Sequence, residues 1–300
     1  MNLIQFMGAV EIGLLYGLVA MGVLLSFRIL DFPDLTVDGS FPLGAAVCAI
    51  LIVSGANPWV ATFCAILAGM AAGFTTAWIS VRWNILHLLA SILTMTALYS
   101  INLRIMGRPN IALLGEQTIF TPLENSSFPH LYVMPTAMFL IAGLFFVLMY
   151  FFLSSEKGLA MRATGANLRM AKAQGIAVNS YVLFGISLSN GLVALAGALF
   201  AQSQGFADVT MGVGTIILGL AAVIVGEAFF NPKRIFAALI ACIIGSIFYY
   251  LVRAMALNAG FLGLQASDLN LVTAILVGCA MITPKLRAKI LDFKANGGRA

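Results

Sequence analysis

Five acidic side chains fall within or beside long apolar stretches of the chain: Glu11, Asp34, Asp38, Asp208 and Glu227. An ionised carboxylate facing hydrocarbon costs on the order of 2.5–3.5 kcal/mol by insertion scales, so each must face protein, water or the membrane interface. Such groups can line a polar path, relay a cation or cap a helix end. Asp34, Thr36, Asp38 and Ser40 cluster in the run DFPDLTVDGS, and Asp208 and Thr210 lie in a second polar run. For Asp38 and Ser40 the plain alternative to a path is capping of the helix that begins beside them. Glu11 stands near one end of its stretch, where it can reach water. Glu227, just before FFNPKR, is a candidate inner gate or subunit contact.

No enzyme chemistry is encoded nearby. His87 and His130 lack partners at ligand spacing, and Cys48, Cys64, Cys242 and Cys279 sit singly in apolar runs. Neither a zinc site nor a disulfide framework is expected. There is no GxxxxGK[ST] loop, no nucleophile elbow, no HExxH and no TVGYG-like filter. No catalytic residue, metal or cofactor is expected in this chain, so passage remains.

The elements that position these groups follow from composition. Of 300 residues, 61% are hydrophobic and 9% charged, against about 45–50% and 25% in soluble proteins. The basic residues flank apolar runs, as in membrane proteins, so the net charge of +5 does not argue for nucleic acid. A bilayer core of about 30 Å needs about 20 apolar helical residues per crossing. Nine candidate spans meet or approach this: 4–27, 40–54, 58–80, 85–103, 132–153, 181–203, 213–230, 235–252 and 269–283. The second is too short for a plain crossing and implies a break at membrane depth.

With the N-terminus outside, 13 of the 16 Lys and Arg residues fall inside, and only Arg104, Arg108 and Arg253 fall outside. This places the tail 284–300 inside. The first span carries no basic residue before it and is expected to be retained. Residues 104–131 read as an outer loop with at most short helical turns, broken by Pro109, Pro122 and Pro129. Residues 154–180, inside, alternate apolar and basic residues at helical spacing between Gly158, Gly165 and Gly175. They read as one or two short helices along the inner surface. A basic loop that only fixes topology is the alternative. The pairs Gly13/Gly17 and Gly69/Gly73 predict close helix packing.

Asp34-Leu-Thr-Val matches Asp208-Val-Thr-Met, and Leu43-Gly-Ala-Ala-Val matches Leu218-Gly-Leu-Ala-Ala-Val with small insertions. The copies enter spans two and seven, which cross in opposite directions. Inverted repeats with interrupted polar segments mark transport folds. The expected architecture is an all-α, polytopic, single permease-like domain over residues 1–300, with about nine spans, an inverted repeat and a broken second span.

In the inner segment, Gly158, Ala160, Arg162, Ala163, Gly165, Asn167, Ala171, Gly175 and Ile176 fill the pattern G-x-A-x-R-A-x-G-x-N…A…G-I. This resembles the coupling motif of ABC importer permeases of the branched-chain amino acid and ribose type. The FPDLTVDGSF run looks like the tryptophan-importer branch. The resemblance implies a bacterial inner-membrane permease that moves an amino acid or another small solute, such as a sugar, inward by alternating access. It implies a second permease copy, cytoplasmic ATPases that carry ATP and Mg, and an extracytoplasmic binding protein docking on 104–131 and 253–268. It assigns ATPase coupling to 158–176. The competing readings are an ion-driven secondary carrier, which should bury acids at mid-membrane whereas most here lie near span ends, and a structural membrane subunit. A neighbouring coding region for an ATPase and a binding protein would separate them.

Overall fold

The computed structural model describes residues 2–124, 130–230, 234–258 and position 278. The ninth expected span and the tail lie outside the described residues, as does Cys279. What is described is helical almost throughout. Six helices are long and apolar enough to cross a membrane, and two apolar helices, Val37–Val53 and Thr215–Phe229, are shorter.

α1 (Leu3–Val23) runs on into a π-helical turn, Leu24–Ile29, where Leu30 N–H reaches back five residues to Leu25 O at 3.1 Å. After an irregular stretch come α2 (Val37–Val53), α3 (Pro58–Trp83) and α4 (His87–Met106). Asn57 opens α3 by accepting the Trp59 amide, with Pro58 at the first helical position, where its missing N–H costs nothing. The segment after α4 carries β1 (Asn110–Ala112) and the one-turn α5 (Thr121–Glu124) before α6 (His130–Ser154). α7 (Glu156–Ala166) and α8 (Leu168–Ala173) follow, then α9 (Val178–Gln204), β2 (Phe206–Asp208), α10 (Thr215–Phe229) and α11 (Ile235–Asn258).

Two expectations for the polar segments change. The outer segment is not only loop and helical turn: β1 pairs antiparallel with β2, with Asn110 opposite Asp208 and Ala112 opposite Phe206. Short strands separated by almost a hundred residues leave little local pattern, and the prolines hid this one. His130 opens α6 and is not a loop residue.

α9 is the hub. It packs along α2, α3 and α1, while α1 packs on α11. The glycine pairs work as their spacing suggests. A Cβ at Gly69 would strike Ala194 and Asn190, and one at Gly73 would strike Ile186 and Asn190. Gly13 and Gly17 face Ile247 and Ser246 of α11. These contacts run in opposite sequence order on the two partners, so α3 is antiparallel to α9 and α1 to α11. Without a solvent-driven hydrophobic force inside lipid, this close backbone approach is the main source of helix adhesion. Outward faces stay apolar: Trp59, Phe63, Phe139, Leu140 and Phe151 are exposed, as lipid-facing side chains must be.

Candidate functional site

The polar residues of the broken second span gather around Asn190, the midpoint of α9. Asn190 Nδ2 donates to Asp34 Oδ2 at 2.6 Å, and Ser40 Oγ donates to Asn190 Oδ1 at 2.6 Å. Asp34 Oδ1 accepts the Thr36 amide at 2.9 Å, and Thr36 Oγ1 lies 2.8 Å from Thr76 Oγ1 of α3. Asp34, Thr36, Ser40 and Asn190 are all fully buried. Each polar atom named here has a partner, which is what makes burial affordable. Asp34 therefore lies at mid-depth, not at a span end. Its depth no longer argues against an ion-driven carrier, but both its oxygens are occupied by neighbours.

Asp38 departs from the capping expectation in a specific way. It does not cap its own helix. Its Oδ2 accepts the Gly214 amide at 3.1 Å and its Oδ1 the Ile216 amide at 2.7 Å, so it caps α10. The two polar runs therefore meet. Gly212 has to be glycine here: a Cβ would strike the Asp38 carbonyl and the Pro42 ring. Pro42 has no N–H to bond the Asp38 carbonyl, and the Gly212 backbone packs against that freed group.

Asp208, half-buried, and Thr210, exposed, lie on the β1–β2 ribbon, apart from this cluster. Thr210 gives Asp208 Oδ1 both its amide, at 2.7 Å, and its hydroxyl, at 2.6 Å; Asn110 Nδ2 adds a 3.3 Å bond to Oδ2. The Thr210 hydrogen bonds hold the Asp208 carboxyl below the usual carboxylate range.

Where α1 ends, Glu227 near the end of α10 grips Arg28 in the π-helical turn through two bonds, Nε–Oε1 at 2.8 Å and Nη2–Oε2 at 3.1 Å. Arg28 was read only as a topology marker. The two residues are 199 apart in sequence, and nothing in either run announces the pairing.

The segment 154–180 forms two helices, as its spacing suggested. Ser155 caps α7 by accepting the Gly158 amide, and Asn167 ends α7 while capping α8 through the Met170 amide at 3.0 Å. Gly175, at φ +79°, ends the second turn in a conformation that favours glycine. Gly158 and Gly165 face the body of the protein: a Cβ on Gly158 would strike the end of α6, and one on Gly165 the Ile29 carbonyl. Ala160 and Ala163 are half-buried, and Arg162 is exposed without an ion-pair partner among the described residues. Leu159, Leu168 and Met170 are exposed beside Arg162, Arg169 and Lys172. A cavity of about 820 Å³ lies where these helices meet the α3–α4 turn, lined by Asp31, Asn84, His87, Asn167 and Arg169 among others. His87 is held there by Ser80 Oγ at 2.6 Å and stacks on Phe32.

Sequence reasoning missed Asn190, Asn102 and Gln202. Asn102 Nδ2 donates to the Gly39 carbonyl, and Gln202 joins the Ile119 amide to Thr62. The available signal was an amide side chain inside an apolar span, which needs a partner. No cluster of metal-ligating side chains occurs among the described residues.

A multi-pass helical body with a broken, polar-lined pair of helices and a seated surface motif defines a membrane permease. The family model described as "Branched-chain amino acid transport system / permease component" matches residues 7–283, and the chain belongs to that family of ABC-type transport permeases. It is 37% identical over 283 residues to a tyrosine transport system permease protein of Clostridioides difficile, covering 94% of this chain and 92% of that one. It is 27% identical over 194 residues to an autoinducer 2 import system permease protein of Yersinia enterocolitica, covering 64% and 52%. Among solved structures, PsaBC from Streptococcus pneumoniae in complex with Fab superposes with a TM-score of 0.52 at 19% identity, over 92% of this chain and 89% of that one, a likeness of fold.

Proposed function

We propose that this permease imports an amino acid, with an aromatic one such as tyrosine first in line, by ATP-driven alternating access. The similarity to the tyrosine permease, spanning nearly both chains, supports the substrate class. The observation that carries the coupling is the seating of Gly165 on the Ile29 carbonyl. A surface element bearing Gly158, Ala160, Arg162, Ala163, Gly165, Asn167 and Gly175 presses there on the π-helical end of α1. Its outer face, basic with exposed Leu159 and Met170, suits a cytoplasmic ATPase, which would hold the ATP and Mg.

The inverted repeat belongs to the same reading. α1 with its π turn and α9 are each 27 residues long. In each case an aspartate follows and accepts the amide two residues on, Asp34 from Thr36 and Asp208 from Thr210. A short helix comes next, of 17 residues in α2 and 15 in α10, then a long one, of 26 in α3 and 24 in α11. Each first helix packs on the other unit's third, α1 on α11 and α9 on α3. Rocking of one unit against the other would open the path alternately to each side. In this scheme Asp34, Thr36, Asp38 and Ser40 brace the break, Asp208 and Thr210 shape the outer entrance, and Arg28–Glu227 closes the inner end.

The remaining features of the reading are nine spans, counting 269–283, and the N-terminus outside the bacterial inner membrane. A second copy completes the path and an extracytoplasmic binding protein delivers the solute. The grouping of Arg28, Arg82, Arg169 and Lys172 around one end of the bundle supports the orientation. The test is Arg162→Ala in the reconstituted transporter. ATP hydrolysis should continue while uptake falls about tenfold, the loss of a charge-assisted contact. Wild-type uptake by that variant would defeat the assignment of 158–176 to coupling.

A further inference from the structure

At the outer end, a recess of about 680 Å³ lies between α1, α9 and α11, bordered by Ile12, Tyr16, Phe200, Gln204, Tyr250 and Arg253. Its volume falls within the range of about 300–1,000 Å³ typical of small-molecule sites. The Arg253 guanidinium lies 5.6 Å from the centre of the Tyr250 ring, and no carboxylate among the described residues pairs with it. A cation on a membrane helix, facing a cavity with no carboxylate among its described lining residues, has planar donors to offer an anionic group. Aromatic rings form its wall, with the fully buried Phe41 packed behind them. Tyr250 and Tyr16 sit 5.0 Å apart, Tyr16 and Phe41 5.7 Å, and Phe41 and Phe200 5.7 Å. Phe41 directly follows Ser40, which bonds Asn190, so the rings join the recess to the break in α2.

We propose that this recess is a substrate subsite in which Arg253 takes the carboxylate of an aromatic amino acid and Tyr16, Tyr250 and Phe200 receive its ring. This rests on the importer reading above and adds to it a selecting residue within the permease itself. Arg253 fixes the carboxylate by a two-point, charge-assisted pair. Tyr16, Tyr250 and Phe200 offer the ring stacked and edge-to-face contacts, the two arrangements that aromatic pairs favour.

The test measures uptake of radiolabelled L-tyrosine by the complete reconstituted transporter: wild type, Arg253→Lys, Arg253→Gln and Gln204→Glu. Arg253→Gln should lose about tenfold or more in uptake while ATP hydrolysis and complex assembly persist, whereas Arg253→Lys, which keeps the charge but loses the two-point fork, should fall between Arg253→Gln and wild type. Gln204→Glu, which sets a competing carboxylate in the same recess, should also depress uptake, so the assignment does not depend on Arg253→Gln folding. Wild-type uptake in both Arg253→Gln and Gln204→Glu overturns the subsite, as does loss of the assembled complex in both with no separate effect on uptake. Failure of the wild-type transporter to import L-tyrosine or L-tryptophan would instead overturn the importer reading, and the subsite with it.

Discussion

The carboxylate of Asp38 closes the amide end of a helix 178 residues away, with Oδ1 2.7 Å from the Ile216 nitrogen. One acid near the start of α2 thereby holds the start of α10, and the two interrupted helices are tied together at their N-termini. A helix N-terminus carries free N–H groups and partial positive charge, so an anion there both fills hydrogen-bond sites and offsets the dipole.

Replacing that cap should show directly in stability. Asp38→Ala leaves the Gly214 and Ile216 amides without their acceptor and should cost about 1–2 kcal/mol, while Asp38→Asn, still able to accept, should cost less. Thermal unfolding of the purified protein in detergent checks the ranking. An alanine variant as stable as the wild type would show that the bonds contribute nothing.

Asn190 should be more sensitive than any other single polar residue in the bundle. Asn190→Leu strands Asp34 Oδ2 and the Ser40 hydroxyl, each buried, and about 1–3 kcal/mol is lost for each orphaned group. The variant should yield markedly less folded protein, whereas Ser40→Ala, which strands only Asn190 Oδ1, should cost about half as much. Equal yields for the two would contradict the placement of Asn190 at the centre of the network.

The Arg28–Glu227 pair has side-chain exposures of 64% and 20%. At such exposure an ion pair contributes about 0–1 kcal/mol, weak enough to break in every transport cycle. Arg28→Glu and Glu227→Arg should each impair uptake with little change in stability, and the double exchange should restore it. If the double variant transports no better than the singles, the pair is not a latch.

Topology has its own check. A cysteine at position 115 in a cysteine-free background should react with an impermeant thiol reagent added outside, and one at the exposed position 168 only from inside. Reaction of both from one side would mean that a span between them is missing.

The long apolar helices were legible because a crossing writes itself as about twenty apolar residues. The break at α2 was legible because the apolar run 40–54 is too short for a plain crossing. The relationships between distant elements were not legible. Asp38 reaches α10, Arg28 reaches Glu227, and β1 reaches β2, and each pairing depends on how the long helices cross rather than on neighbouring residues. Asp34 shows why depth was misjudged. An acid counted from a span boundary looks peripheral, but this boundary is itself at mid-depth, beside Asn190 of a helix that continues past it in both directions.

Energy coupling tests the whole reading most directly. Proteoliposomes holding this chain with its ATPase and binding protein should accumulate L-tyrosine when ATP is supplied on the ATPase side, and should not do so when a proton or sodium gradient is imposed without ATP. Gradient-driven accumulation in the absence of ATP would contradict it.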